Sequence, residues 1–198
     1  MKLTQEDYTK YREKISKEGF VKLKNPFGRN IYQKIAREGT LKFTEAKHAC
    51  GNKDLAYSSR LTGLGPEAER FLNSIEVRVF LSEIFNQNYK VNADTSCYTY
   101  YQTNDFLSPH KDGDEGCDIT LLFYFLSEYS KTITPSPGMY LQVFKDASHS
   151  FGELQVSHFT EAEYIIVGKG SKWWHGRSVL RDEERVGMVT ACFIKDSG

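Results

Sequence analysis

From residue 89 onward the chain breaks into eight short runs that read as β-strands, separated by turn signals: Tyr89–Gln102, Leu107–Lys111, Asp118–Leu126, Met139–Lys145, Glu153–Val156, Glu163–Val167, Lys172–Val179 and Arg185–Ile194. Eight strands in a row suggest a mainly β, double-sheet jelly roll of the cupin kind. The Pro-rich stretch Ser130–Gly138 reads as a loop at the mouth of that core.

The first 88 residues read as a helical and mixed support for the core at 89–196, with no repeat or linker dividing 1–198. Thr4–Glu18 is predicted to be a helix, with Thr4 and Asp7 at its start, Tyr8, Tyr11 and Ile15 at helical spacing, and Gly19 as its stop. Phe20–Lys24 alternates as a short strand, Asn30–Glu38 reads as a weaker helix, and Thr40–Lys47 as a strand. Gly51–Gly65 is polar and loop-like. Pro66 opens a helix running to about Phe85, with Phe71, Leu72, Ile75 and Val79 on its apolar stripe.

Composition narrows the function classes. The 26 basic and 26 acidic residues balance, so nothing points to a nucleic-acid or anionic-membrane surface. No apolar run approaches membrane-span length, and the polar start lacks the pattern of a secretory signal. The four cysteines, Cys50, Cys97, Cys117 and Cys192, form no Cys-x-x-Cys pair and are expected to stay reduced in a cytoplasmic protein.

The chemistry concentrates in Phe106-Leu-Ser-Pro-His110-Lys-Asp112-Gly113. Successive side chains of an extended strand alternate faces, so His110 and Asp112 converge on one side. Imidazole plus carboxylate suits a first-row transition metal, and two His plus one carboxylate with open positions is the ligand set of non-heme Fe(II) oxygenases. The second histidine is His175, in Trp173-Trp-His-Gly-Arg177, and the cation Arg185 follows at 185 − 175 = 10.

With these residues the chain resembles the Fe(II)/2-oxoglutarate-dependent dioxygenases, and among them the prolyl-4-hydroxylase-like branch. The likeness runs from about Tyr98 to Phe193: His110-x-Asp112, a distal His175 at 175 − 112 = 63, a basic residue beyond it, and Tyr101 at 110 − 101 = 9 before the first histidine. The resemblance implies that His110, Asp112 and His175 ligate Fe(II) and are the catalytic set. It implies that Arg185 grips the far carboxylate of 2-oxoglutarate, ahead of its rivals Arg177 and Arg181. It makes Tyr101 and Tyr124 the hydroxyl partners of that cosubstrate, with Tyr98 and Tyr100 as alternatives to Tyr101. Asp112 stands where the related halogenases have Gly or Ala, so hydroxylation is the expected outcome.

The implied function is hydroxylation of a C–H bond in a small substrate, such as an amino acid or natural-product intermediate. 2-Oxoglutarate would be decarboxylated to succinate, O2 consumed, and ascorbate would act as a stimulant. A peptidyl, prolyl-type hydroxylase and a non-catalytic cupin-like binding module are the alternatives. The Arg-x-Asn-x-Thr-x-Arg pattern of the nucleic-acid demethylases is missing. Arg60 reads as a solvated loop residue or as a grip on a substrate carboxylate. Trp173 and Trp174 read as core, and His48, His149 and His158 as bland.

Overall fold

The structure is a computed structural model, and it describes residues 3–52, 55–113, 115–146 and 152–196. His149 lies outside the described residues.

Helix α1 (Gln5–Glu18) opens on a capping box. The Thr4 hydroxyl accepts from the Asp7 amide at 3.2 Å, and the Asp7 carboxylate accepts from the Thr4 amide at 2.8 Å. Gly19, at φ +81°, stops the helix where most residues would be strained. Strand β1 (Phe20–Lys24) follows as expected.

Three local expectations are corrected. Helix α2 (Arg29–Lys42) runs on through a 3₁₀ turn at Phe43–Glu45, so only Lys47–Cys50 (β2) is strand in the segment read as Thr40–Lys47. The polar stretch read as a loop contains β3 (Tyr57–Gly63), which is made by pairing to β2, β4 and β5 rather than by propensity. The long helix from Pro66 is two, α3 (Pro66–Leu72) and α4 (Ile75–Phe85). Between them the Ser74 hydroxyl accepts from the Val77 amide at 3.3 Å, a use of serine that favours a new start over continuation. The break changes the helical phase. Val77, Phe80, Leu81 and Ile84 turn inward, while Ile75 and Val79 face solvent.

The core strands are β4 (Tyr89–Tyr101), β5 (Phe106–His110), β6 (Ile119–Glu128), β7 (Tyr140–Phe144), β8 (Leu154–Phe159), β9 (Tyr164–Gly168), β10 (Trp174–Arg177) and β11 (Arg185–Lys195). They hydrogen-bond in the order β1-β9-β6-β11-β4-β3-β5-β10-β7-β8, with β2 beside β3 and every pairing antiparallel. β3 passes from β4 to β5 and so joins the larger sheet to the smaller one. This is the jelly-roll core with flanking helices.

Alternation divides each central strand between two cores. Ile119, Leu121, Phe123 and Phe125 of β6 pack in the layer formed with the helices, as do Tyr98, Tyr100, Val189, Ala191 and Phe193. Leu122, Tyr124, Tyr101, Val186 and Met188 face the space between the sheets. The helical layer is tied down through Glu38. Its carboxylate accepts from the Tyr98 hydroxyl at 2.8 Å and from the amides of Glu67 and Ala68 at 2.8 and 2.9 Å, at the start of α3.

Candidate active site

The space between the sheets opens as a cavity of about 480 Å³, within the usual range of small-molecule sites. Antiparallel register sets His175 of β10 directly opposite His110 of β5. Gly176 allows this approach, since a Cβ there would fall 2.7 Å from the Leu107 carbonyl oxygen. Asp112 lies just beyond the end of β5, held by its amide, which donates to the Gly170 carbonyl at 3.0 Å. Convergence thus comes from the turn after the strand, not from strand alternation alone.

Asp112 Oδ1 is 3.2 Å from His110 Nε2 and 3.8 Å from His175 Nε2, and the three ligand atoms all lie within 4.8 Å of one another. The opposite ring nitrogens are spoken for. His110 Nδ1 is 3.2 Å from the Ser108 carbonyl, and His175 Nδ1 is 3.0 Å from the Trp173 carbonyl. A neutral ring donating from Nδ1 presents its Nε2 lone pair to the common point. Burial, with His110 alongside, lowers the His175 pKa to about 4, so this ring is neutral near pH 7. Burial works to raise the Asp112 carboxyl, but His175, His110 and the Thr120 hydroxyl outweigh it and hold it below the usual carboxylate range. Two neutral-capable imidazoles and an ionised carboxylate are the donor set that suits a first-row divalent metal such as Fe(II).

The second feature of the cavity is a buried cation, and it is not Arg185. Arg185 is exposed on the far side of β11, where it lines a separate pocket with Phe43 and Glu128. Val186 and Met188 point inward on this strand, so residue 185 must point out. Arg181 is exposed as well. Arg177 instead lines the cavity with 1% of its surface exposed. It stands two residues beyond His175 on β10 and shares that histidine's face, by the same rule that paired His110 with Asp112 on paper.

One Arg177 nitrogen, Nη1, donates to the Gly138 carbonyl, and the guanidinium carbon lies 5.0 Å from the Tyr101 ring centroid. Nη2 has no partner among the described residues, and neither does the Tyr124 hydroxyl. Burial raises the Tyr124 pKa to about 12 against the pull of the Arg177 charge, and burial likewise raises Tyr101. Arg177 acts on Tyr124 at close range, yet no hydrogen bond of normal geometry joins them. Two buried polar groups left open, one cationic, form a fit for an oxyanion. Tyr98 and Tyr100 are excluded from this role because they face the helices, bonded to Glu38 and to the Gly39 carbonyl.

Other sequence candidates sit elsewhere. Arg60 donates from Nε to Gln102 Oε1 at 3.1 Å, while its neighbours Ser59 and Leu61 line the cavity. Trp173 and Trp174 are half-buried, and Lys111 lies 5.4 Å from the Trp174 ring. His158 is half-buried. The expectation of four free thiols is corrected: Cys117 and Cys192 are joined in a disulfide that lines the cavity, leaving Cys50 and Cys97 free. The turn into β6 runs beside β11, where the Asp118 amide donates to the Phe193 carbonyl, and this brings together two cysteines 75 residues apart. The argument from reduced cysteines to a cytoplasmic setting loses that premise. No described helix is long and apolar enough to cross a membrane.

No protein-family model matches the sequence, and no curated protein matches it. Solved structures do match. A prolyl-4-hydroxylase from Pseudomonas putida superposes with a TM-score of 0.66 at 13% identity, over 96% of this chain and 100% of that one. The non-heme α-ketoglutarate-dependent epimerase SnoN from nogalamycin biosynthesis gives 0.75 at 8%, over 97% and 84%. HygX from Streptomyces hygroscopicus, with nickel and 2-oxoglutarate bound, gives 0.68 at 14%, over 98% and 88%. The chain therefore has the fold of the Fe(II)/2-oxoglutarate oxygenases, prolyl-4-hydroxylases among them.

Proposed function

We propose that this protein is an Fe(II)- and 2-oxoglutarate-dependent dioxygenase acting on a C–H bond of a small molecule. The observation that carries the proposal is the meeting of two sets in one cavity. His110, Asp112 and His175 would hold the iron, and Arg177 in the same cavity, with the buried Tyr124 hydroxyl close to it behind the wall, offers an open donor for the distal carboxylate of 2-oxoglutarate. With iron, 2-oxoglutarate and O2 bound, the chemistry supplied is oxidation of an unactivated C–H bond coupled to decarboxylation of 2-oxoglutarate to succinate.

The protein's own share is positioning and exclusion of water. The carbonyls of Ser108 and Trp173 hold the imidazoles by Nδ1, and Thr120 holds the outer oxygen of Asp112. Arg177 is anchored by Nη1 on the Gly138 carbonyl, which leaves Nη2 open for a carboxylate contact. Leu122, Leu141 and Met188 close the deep end against water. The cavity, of small-molecule size, supports a small substrate over a protein side chain, and the fold neighbours SnoN and HygX, one an epimerase of nogalamycin biosynthesis, the other crystallised with hygromycin B, are consistent with that choice.

The test is anaerobic titration with Fe(II) and 2-oxoglutarate, followed by O2 and measurement of succinate. Wild type should bind one iron and release succinate. His110→Ala, Asp112→Ala and His175→Ala should each lose the iron while keeping the β-rich circular dichroism spectrum. Metal binding that survives in two of these variants would sink the assignment, and metal binding without any succinate would favour a binding module.

A further inference from the structure

Among the described residues, the part of the cavity left for substrate is lined by no charged side chain beyond the proposed metal ligands and Arg177. We infer that it takes an uncharged, largely apolar molecule, and discriminates against free amino acids and carboxylates. The inference rests on the oxygenase reading, because that reading commits Arg177 to 2-oxoglutarate.

The buried wall of the cavity includes the apolar Leu122, Leu141 and Met188 beside Arg177, and the uncharged polar Ser59 and Thr99. Apart from His110 and Asp112, the half-buried and exposed lining includes Leu55, Tyr57, Leu61, Thr95, Cys97 and Thr190, all uncharged. Among the described residues the lining contains one carboxylate, one guanidinium and two imidazoles: Asp112, Arg177, His110 and His175. Asp112 and the two histidines are the proposed metal ligands.

The nearby cations are turned elsewhere. Arg60 alternates to the opposite face of β3 from Ser59 and Leu61 and is bonded to Gln102. Lys111 is exposed and lies over Trp174. What the chamber does offer is hydroxyls. Thr99 and Thr190 already bond each other at 2.8 Å across the β4–β11 pair, and each hydroxyl oxygen keeps a further lone pair for a donor on the ligand.

A carboxylate or ammonium moved into such a chamber gives up its hydration without gaining a counter-charge, whereas an ester, amide or alcohol loses far less. An α-amino acid would need both an anionic and a cationic partner, and the described lining has neither to spare.

One scaffold in four charge states tests this: N-acetylphenylalanine methyl ester (neutral), N-acetylphenylalanine (anion), phenylalanine methyl ester (cation) and phenylalanine (zwitterion). Each is titrated calorimetrically into protein loaded with Ni(II) and 2-oxoglutarate. The neutral ester should bind at least tenfold more tightly than any of the other three. In Leu61→Lys, which adds a cation to the chamber wall, the preference should move at least tenfold toward N-acetylphenylalanine.

A charged member that binds wild type as tightly as the ester overturns the inference. So does a neutral ester that does not bind, or an unchanged order in Leu61→Lys. The binding of 2-oxoglutarate to the Ni(II) protein is measured first and separately. Its absence would remove the oxygenase reading, while charge-indifferent binding of the series would remove this inference alone.

Discussion

Thr120 donates its hydroxyl hydrogen to Oδ2 of Asp112, the carboxylate oxygen turned away from the two histidines. Thr120 is on the cavity face of β6 and is 3% exposed, so the bond is shielded from water. It leaves Oδ1 pointing at the common centre of the histidine nitrogens. We expect Thr120→Val, which keeps the shape and loses the hydroxyl, to weaken Fe(II) or Co(II) binding about 10- to 100-fold, the usual range for such supporting bonds. Thr120→Ser should restore most of it. Chelator competition measures both, and equal affinity in Val and wild type would remove the positioning role.

How much of this was legible in the chain is best seen on β10 and β11. The rule that puts i and i+2 on one face led from His110 to Asp112, and applied to His175 it leads to Arg177. Reading Arg185 from its ten-residue spacing overrode that rule. The row Val189, Ala191, Phe193 already assigned the odd positions of β11 to the helical layer, and residue 185 belongs to that row. The core strands were readable because each alternates between an apolar wall and a cavity. β3 was not, because its strand character comes from three partners distant in sequence. The pairing of Cys117 with Cys192 was equally hidden, since it depends on the neighbourhood of β6 and β11 in space.

The two arginines give a direct comparison. Arg177→Met should raise the 2-oxoglutarate dissociation constant about 30- to 150-fold, the equivalent of one lost charge-assisted contact of about 2–3 kcal/mol. Arg185→Met, on the outer surface, should leave it unchanged. Calorimetry on the metal-loaded proteins reads both, with thermal unfolding as the control for the Gly138 contact that Arg177→Met also removes. A larger loss in Arg185→Met would return the clamp to that position.

The disulfide makes a simple labelling prediction. Unfolded without reductant, the protein should be alkylated at Cys50 and Cys97 only, and after reduction at all four cysteines. Closing a loop of this length contributes about 4 kcal/mol by restricting the unfolded chain, so reductant should lower the urea midpoint accordingly. Four labelled cysteines without reductant would contradict the pairing.

His158 sets part of the acid sensitivity. Burial first, then the neighbouring Lys14 and Lys22, lower its pKa from 6.5 to about 4. Between those values the unfolded chain holds a proton on this ring that the folded chain does not. Stability from this group is therefore present above about pH 6.5, falls as the pH drops toward 4, and changes no further below that. His158→Gln should unfold with a shallower loss of urea midpoint between pH 7 and pH 4.5 than wild type. Identical slopes would show that the ring titrates alike in both states.

Gly170 is the tightest point around the proposed metal ligands. A Cβ there would lie 2.0 Å from Asp112 Oδ2 and 2.1 Å from Thr120 Oγ1, while the Gly170 carbonyl accepts the Asp112 amide at 3.0 Å. The backbone cannot back away without releasing that amide, and the same turn leads directly to Trp173, whose carbonyl steadies His175. Gly170→Ala should therefore cost about 1–3 kcal/mol of stability by overpacking, and should weaken metal binding at least tenfold by swinging Asp112 off its mark. Removing the Thr120 side chain opens space on one side of the new methyl group. The double variant Gly170→Ala, Thr120→Ala should then lose less stability than the sum of the single losses, a coupling of about 0.5 kcal/mol or more. Strict additivity in urea unfolding, or a Gly170→Ala protein with native metal affinity, would show that this contact does not govern the carboxylate.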